Sequence, residues 1–160
     1  MYSHAPENYI CPFCSMVEEC ETISIEESRH AIVYHDDSVT VLVPLHHFAD
    51  VKGNVILITN RHYENIFDID HRIGSDILKV IQNIAYAMKT AYGCDGISTR
   101  QHNEPAGNQD VWHYHLHIFP RYTGDQLYLG RGARYEQGER LLYANMLREK
   151  IDSMPDLGAR

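Results

Sequence analysis

Apolar positions in the first half of the chain follow the alternating and continuous patterns of β-strands. Residues 29–45, RHAIVYHDDSVTVLVPL, hold two runs rich in β-branched residues on either side of the polar triplet 36–38, and this pattern predicts a β-hairpin. Residues 53–60, GNVILITN, form a continuous apolar run that begins at a glycine and ends at an asparagine. We therefore predict a buried strand there.

Helical spacing replaces strand spacing between residues 68 and 93. Apolar residues recur there at intervals of three or four positions, and Gly93 stands where a C-terminal cap would fall. This pattern predicts an amphipathic helix of roughly 20 residues. Its apolar positions are Ile73, Ile77, Ile81, Ile84 and Met88.

The second half of the chain predicts two further strands and a terminal helix. GISTRQ (96–101) and VWHYHLHIFPR (111–121) have strand character, and the turn-rich loop HNEPAGNQD (102–110) separates them. EQGERLLYANMLREKI (136–151) predicts a C-terminal helix. The order of these elements predicts an α+β fold, in which one long and one C-terminal helix pack against an antiparallel sheet of about five strands.

Three histidines alternate along the strand predicted at residues 111–121. Because side chains on a strand alternate between its two faces, we expect His113, His115 and His117 to share one face. Imidazole near neutral pH acts as a nucleophile, a proton donor or a metal ligand. The opposite, apolar face would consist of Trp112, Tyr114, Leu116 and Ile118.

Size and charge narrow the classes of function. A chain of 160 residues is long enough for one domain, and we predict a single domain over residues 1–160. It carries 14 Lys and Arg against 22 Asp and Glu, a formal charge of −8, which argues against nucleic acid and anionic membranes as partners. The N-terminus lacks the pattern of a signal peptide, and no apolar run approaches the length of a membrane span. We therefore expect a cytoplasmic protein.

Four cysteines raise the question of a metal or redox site. In a reducing compartment, Cys11, Cys14, Cys20 and Cys94 are not expected to form a disulfide framework. The Cys-Pro-Phe-Cys pair could supply half of a zinc site, a redox pair or neither. The redox interpretation is disfavoured because the pair does not lie at the strand-to-helix junction of a βαβ unit. Cys20 and Cys94 are interpreted as packing residues.

The histidine strand and the loop before it resemble the signature of the histidine triad (HIT) family. That signature is His-φ-His-φ-His-φ-φ, where φ is apolar, with Asn and Gln upstream, here Asn103 and Gln109. The resemblance extends to CPFC, VYHDDSVTVLV, GNVILITNRHYENI, the long helix and FPR, and so covers most of the chain. It is closest to the zinc-binding bacterial-type nucleotide hydrolases. It implies a small α+β fold, action at the α-phosphate of a nucleoside phosphate, and commonly a homodimer.

The resemblance implies different roles for the last two histidines. His115 would attack the α-phosphorus through its neutral Nε2 and form a nucleotidyl-histidine, while His117 would donate to a phosphate or leaving-group oxygen. The Nδ1–H of His115 would need an acceptor, such as a backbone carbonyl, to hold this tautomer.

The loop before the triad is expected to bind the phosphate. Asn103 and Gln109 match the family's phosphate-contacting amides, and the segment containing Gly107 and Asn108 offers backbone N–H groups for anionic oxygens. The alternatives are that Asn103 is a turn former and Gln109 a surface amide. The family usually has Gly immediately before this Gln. The Asn108 found here predicts a different loop conformation.

The resemblance also implies the two remaining ligands of a zinc site. Zinc-bearing relatives add a His after the GNVILI-type strand and the first His of the triad, which are His62 and His113 in this chain. The implied cofactor is a structural Zn²⁺ bound by Cys11, Cys14, His62 and His113, with no coordination position left for substrate. The alternative is a pair of reduced buried thiols, with His62 at the start of a helix.

Two further features bear on substrate binding. His46 stands where many relatives have an Asp that binds the ribose hydroxyls, although His46 and His47 could equally be loop residues outside the site. Arg121, Arg131 and Arg134 form a basic stretch after the triad, which either steers a polyphosphate or is an ordinary solvated surface.

The sequence as a whole predicts a single HIT domain with a zinc-binding N-terminal segment (9–20) and a triad motif (103–121). We expect a phosphohydrolase that cleaves a nucleoside phosphoramidate or a dinucleoside polyphosphate through nucleotidyl-His115. The expected partner is a nucleotide substrate with adenine as its base, and the expected assembly is a homodimer. The alternatives are a nucleotidyltransferase to a sugar phosphate or other acceptor, and a zinc-stabilised nucleotide-binding module without turnover.

Overall fold

A five-stranded antiparallel sheet forms the centre of the structure, which is a computed structural model that describes residues 3–17 and 30–154. Its strands lie in the order β1-β2-β4-β6-β5, and β3 and β7 form a separate two-stranded antiparallel sheet. The strands are β1 (Ile32–His35), β2 (Val39–Leu42), β3 (His46–Phe48), β4 (Val55–Thr59), β5 (Gly96–Gln101), β6 (His115–Arg121) and β7 (Gly132–Arg134).

Among the described residues, three α-helices accompany the sheet: α1 (Pro12–Val17), α2 (His71–Tyr92) and α3 (Glu139–Ser153). Helix α2 begins where the Asp70 side chain accepts a hydrogen bond from a backbone N–H, and it ends at Gly93 with φ of 63°. Short 3₁₀ helices span Ile66–Asp68 and Pro105–Gly107. Among the described residues, no helix is long and apolar enough to cross a membrane.

The two faces of the five-stranded sheet carry different side chains. Helices α2 and α3 cover one face, where Leu116 and Ile118 of β6 join the main apolar core. On the other face, His115 lies near the cluster formed by α1 and the strands, and Phe119 belongs to a small cluster with Val51 and Leu127. The candidate chemistry of β6 is therefore on the face opposite the long helices.

The predicted α+β fold is confirmed, including the hairpin, the strand at 53–60, the long helix with its Gly93 cap and the terminal helix. The strand predicted at 111–121 begins only at His115, so that part of the prediction is wrong. The chain bends before it, where the His113 N–H donates to the carbonyl of Val111. Trp112 is also not a core residue, since it is only half-buried and lies against the His4 ring. The pairing of β3 with β7 and the short helix α1 were not predicted.

Candidate active site and metal centre

Two cysteines and two histidines converge beside the start of β6. The Nδ1 atom of His113 lies 3.3 Å from the Cys11 Sγ and 3.5 Å from the Cys14 Sγ, and the His62 Nδ1 lies 3.2 Å from the Cys14 Sγ. All four ligand atoms are within 4.8 Å of one another. The four residues predicted from the resemblance therefore form one cluster. Cys94 is buried in the main core, as predicted for a packing residue, and Cys20 lies outside the described residues.

The dimensions and chemistry of this cluster fit a tetrahedral zinc ion. With Zn–S and Zn–N bonds of about 2.0 to 2.3 Å, the ligand atoms of a tetrahedron lie about 3.5 Å apart. The far nitrogen of His113, Nε2, lies 2.8 Å from the backbone carbonyl of Thr59, which orients the ring so that Nδ1 faces the cysteines. Burial lowers the pKa of His113 to about 4 and keeps the ring in the neutral form that binds a metal.

His115 has one nitrogen fixed by the backbone and the other directed away from it. Its Nδ1 lies 2.8 Å from the carbonyl oxygen of His113, and because a carbonyl can only accept, Nδ1 carries the proton. The lone pair of the neutral ring is then on Nε2. The side chain is nearly fully buried, and the Phe13 ring of α1 contacts it edge-on at 5.5 Å. The structure thus supplies the backbone acceptor that the sequence analysis required.

His117 is the next side chain on the same face of β6. Its ring lies 5.4 Å from that of His115 and stacks on Phe119 at 5.6 Å. Its Nδ1 is buried and has no hydrogen-bond partner among the described residues. Burial, together with the positive charges of Arg100 and of the protonated form of His115, lowers the pKa of His117 to about 3, so the ring is neutral at physiological pH.

Asp110 places a carboxylate beside the free nitrogen of His115. Its Oδ1 is 3.5 Å from the His115 Nε2, while the Asp110 side chain is largely exposed. A hydrogen bond from Nε2–H, a proton that this nitrogen carries only in the protonated form of the His115 ring, lowers the pKa of Asp110 to about 2, so the carboxylate is ionised at neutral pH. The sequence analysis did not single out this residue, although its position directly after Gln109 was the available signal.

Gln109 holds the loop before β6 together. It is buried, and its Nε2 donates to the carbonyls of Glu64 at 2.5 Å and Val111 at 3.0 Å. Its Oε1 accepts from the backbone N–H of Glu104 at 2.8 Å. Because both donors and the acceptor are engaged by the backbone, a phosphate contact from this amide requires the exchange of one of these bonds. Gln109 is therefore not a surface amide.

Asn103 and Asn108 shape the same loop by different means. The Asn103 Oδ1 accepts from the backbone N–H of Ile66 at 2.8 Å, and this bond connects the loop to the 3₁₀ helix Ile66–Asp68. Asn108 adopts the left-handed conformation with φ of 65° and ψ of 30°. This conformation favours Gly, and Asn tolerates it better than most residues. Asn108 thus adopts a backbone geometry suited to the family's usual Gly, whereas Gly107 has an unrestrictive φ and open space where a Cβ would lie.

His46 and His47, at the start of β3, lie in different environments. His46 is exposed and pairs with Arg134 across the two-stranded sheet, and none of the described contacts joins it to the triad. His47 is buried, with Nδ1 2.9 Å from the carbonyl of Ala49 and its ring 5.0 Å from that of Tyr135. His47 is therefore a packing residue.

Arg100 is a cation beside the triad that the sequence analysis missed. Arg100 lies directly opposite His117 in the pairing of β5 with β6, and its guanidinium lies over the ring of Phe48 at 4.6 Å. The available signal was a lone charge in the strand GISTRQ. In contrast, the predicted candidate Arg121 is neutralised by Asp125, with N–O distances of 2.7 and 2.6 Å.

Comparison with known proteins agrees with this geometry. The HIT domain family model matches residues 26–124. A relative named Protein hit, from Bacillus subtilis (strain 168), is 27% identical over 120 residues, which is 74% of each chain. The solved structure of a Zn-bound histidine triad family protein from Mycobacterium smegmatis is similar with a TM-score of 0.72 at 23% identity, covering 89% of this chain and 93% of that one.

A third similar protein is the Plasmodium falciparum diadenosine triphosphate hydrolase, whose structure was solved in complex with cyclomarin A. It has a TM-score of 0.67 at 17% identity and covers 88% of this chain and 97% of that one. At these identities the two solved structures show a shared fold.

The family match extends over more than half of the chain, so this protein belongs to the histidine triad (HIT) family. Members of this family are generally nucleotide hydrolases or transferases. The resemblance stated from the triad motif is confirmed, and a nucleotide is the class of ligand that the family supports.

Proposed function

We propose that this protein is a phosphohydrolase that cleaves at the α-phosphate of a nucleoside phosphoramidate or a dinucleoside polyphosphate. The observation that carries the proposal is the bond from the His115 Nδ1–H to the carbonyl of His113, over 2.8 Å. It keeps the lone pair on Nε2, which is the form of imidazole that attacks phosphorus. The Plasmodium diadenosine triphosphate hydrolase, which shares the fold, supports the substrate class.

In the proposed first step, the Nε2 lone pair of His115 forms a bond to the α-phosphorus while the bond to the leaving group breaks with its electron pair. The adduct carries a positive charge on the ring, and the His113 carbonyl remains the acceptor for Nδ1–H. His117, one position along the same face, is proposed to bind a phosphate or leaving-group oxygen. In the second step, water attacks the phosphorus, the P–N bond breaks, and a proton is released with the nucleoside monophosphate.

The metal centre is proposed to be structural. Cys11, Cys14, His62 and His113 would hold Zn²⁺, which would join the N-terminal segment to the start of β6 and leave no open coordination position. Since His113 also provides the carbonyl that orients His115, the ion would stabilise the position of the nucleophile without contacting substrate.

The loop and β3 are proposed to position the nucleotide. Backbone N–H groups near Gly107 and Asn108 are candidates for phosphate contact, together with the side chains of Asn103 and Gln109. His46, exposed on β3, remains the candidate for the ribose. Adenine as the base and a homodimer as the assembly stay predictions, and size-exclusion chromatography with light scattering tests the second of them.

The deciding experiment combines product analysis with trapping of the adduct. The protein is incubated with adenosine phosphoramidate and with diadenosine tri- and tetraphosphate, and products are separated by chromatography. AMP with the expected leaving group supports a hydrolase, whereas a nucleotidylated acceptor identifies a transferase. Rapid quenching with substrate labelled on the α-phosphate should trap an acid-labile, base-stable adduct on His115. Binding without product or adduct would overturn the proposal in favour of a nucleotide-binding module.

A further inference from the structure

Arg100 is a half-buried cation without an ionic partner among the described residues. It extends from β5 on the same face of the sheet as His117, because directly opposed residues of antiparallel strands project to the same side. Its guanidinium carbon is 4.6 Å from the centre of the Phe48 ring and 5.0 Å from that of Phe119. Within residues 3–17 and 30–154 it forms no ion pair, and its buried Nε makes no hydrogen bond.

Arg121, on the same face of the sheet, is an arginine whose charge and hydrogen bonds are satisfied within the protein. It too lies over an aromatic ring, that of Tyr128, at 4.9 Å. It also forms a two-pronged ion pair with the buried carboxylate of Asp125 and donates to the hydroxyl of Ser98 at 2.9 Å. The buried Nε of Arg100 has no such partner among the described residues, so the arrangement around Arg100 is one that an anion would complete.

The second unsatisfied group lies directly across the strand pair. The buried Nδ1 of His117 also has no partner among the described residues, and the Phe48 ring contacts the His117 ring edge-on at 6.0 Å. Two neighbouring side chains thus offer unused hydrogen-bonding atoms on the face of the sheet that carries His115. Buried polar atoms without partners are rare in folded proteins, and beside a candidate site they are available to bind a ligand.

The charges on this face differ in sign between the two ends of the site. Asp110 places a negative charge at the Nε2 of His115, whereas Arg100 places a positive charge one residue pair further along β6, about 7 Å away along the strand. A chain of phosphates is repelled at the Asp110 end and attracted at the Arg100 end. The part of a substrate that extends from the attacked phosphorus toward Arg100 is therefore its anionic part.

We propose that Arg100 binds a phosphate of the leaving group and thereby selects dinucleoside polyphosphates over nucleoside phosphoramidates. This inference rests on the proposed hydrolase function and names its substrate class. A phosphoramidate releases an amine, which carries no anionic oxygen for the guanidinium. A dinucleoside polyphosphate releases a nucleotide whose oxygens match the fork of N–H donors on an arginine.

The kinetic test compares Arg100→Met with wild type on diadenosine tetraphosphate and adenosine phosphoramidate. Loss of a charged hydrogen bond should lower kcat/KM for the tetraphosphate by about ten- to a hundredfold, and for the phosphoramidate by less than about threefold. Arg100→Lys, which keeps the charge and loses the fork, should fall between them. Arg121→Met is the matched control and should leave the ratio of the two kcat/KM values unchanged. Equal losses on both substrates would overturn the assignment.

A binding test separates this inference from the hydrolase proposal. Isothermal titration with inorganic tripolyphosphate should show binding to wild type and to Arg121→Met that weakens in high salt, and little binding to Arg100→Met. Equal affinity of wild type and Arg100→Met would exclude an anion site at Arg100 even if hydrolysis is observed. If wild type hydrolyses neither substrate, the hydrolase proposal fails, while the titration still decides whether Arg100 forms a polyphosphate site. Tripolyphosphate binding through Arg100 with an unchanged substrate ratio would refute the leaving-group role.

Discussion

The Nδ1–H of His115 donates to the backbone carbonyl of His113 over 2.8 Å, and the His113 ring itself lies among the cysteines and histidine of the candidate metal centre. One residue therefore belongs to both parts of the site: its side chain faces the metal ligands and its backbone orients the candidate nucleophile. A shift of His113 would change the direction of the His115 ring. A metal ion bound at the candidate centre would therefore fix the direction of the His115 ring through this one peptide carbonyl.

Replacing His115 with Ala should abolish the covalent route. We expect kcat to fall by at least about a thousandfold, roughly 4 kcal/mol, because the variant lacks the Nε2 lone pair that the bond from Nδ1–H to the backbone keeps available in His115. AMP binding, measured by calorimetry, should change by less than about threefold. His71→Ala, at the exposed start of α2, is the control and should keep full activity. A His115→Ala protein within tenfold of wild type would show that the mechanism is wrong.

The metal centre predicts about one zinc per chain in protein purified without chelators. Cys14→Ala should lose the metal and, since structural zinc contributes folding free energy directly, lower Tm by about 10 °C or more. The molecules that remain folded should keep most of their activity, so the effect of the substitution should appear mainly as a lower Tm. Cys94→Ala, which removes a buried thiol of the main core, should retain zinc. Elemental analysis and calorimetry check both variants, and a metal-free wild type of full stability would contradict the prediction.

The left-handed conformation of Asn108 predicts which substitutions the loop accepts. Asn108→Gly should unfold at the same urea concentration as wild type or higher, because Gly adopts φ of 65° without a steric penalty. Asn108→Val should destabilise the protein by about 1–2 kcal/mol, since a β-branched residue is strained there. Equal stability of the two variants would show that the loop changes conformation on substitution.

Burial of His117 predicts a loss of stability at mildly acidic pH. Burial lowers the pKa of His117 to about 3 in the folded protein, whereas an unfolded histidine has a pKa near about 6.5. The unfolded chain therefore binds the additional proton, and the contribution of His117 is complete above pH ~6.5 and decreases as the pH falls, by up to about 1.4 kcal/mol per pH unit.

Comparison with His117→Gln isolates this effect. Between pH 7 and pH 5, the free energy of unfolding of wild type should fall by about 2 kcal/mol more than that of the variant. Both proteins retain the four candidate metal ligands, so pH effects on the metal cancel in the difference. Urea unfolding at several pH values measures this difference. If the free energy of unfolding depends on pH in the same way in both proteins, His117 has the same pKa in the folded and the unfolded state.

Local patterns in the sequence were sufficient for most secondary structure. The β-branched runs on either side of residues 36–38, the helical spacing from Ile73 to Met88 and the cap at Gly93 are all confirmed. These features depend on backbone geometry within a few residues, which local sequence determines. The strands β3 and β7, with three residues each, have too few positions for any periodicity, and they exist because they pair with each other.

The residues of the metal cluster were identified by resemblance, and only the tertiary structure brings Cys11 within 3.3 Å of a histidine 102 positions away. The position of Arg100 likewise follows only from the tertiary structure. Its sequence neighbours say nothing about His117, and it is the register of β5 against β6 that places the two side by side.

The sequence by itself determined the family, the alternation of the histidines and the apolar side of β6, because these depend on residue order along one segment. The tertiary structure decided where β6 begins, since the bend at Val111 turns His113 out of the strand and toward the cysteines. It also decided that the Gln109 amide is occupied by the backbone of Glu64, Glu104 and Val111, and that Arg100 has no counter-charge within the described part of the chain. Hydrogen bonding and charge pairing between distant segments depend on their positions in space, which no local pattern encodes.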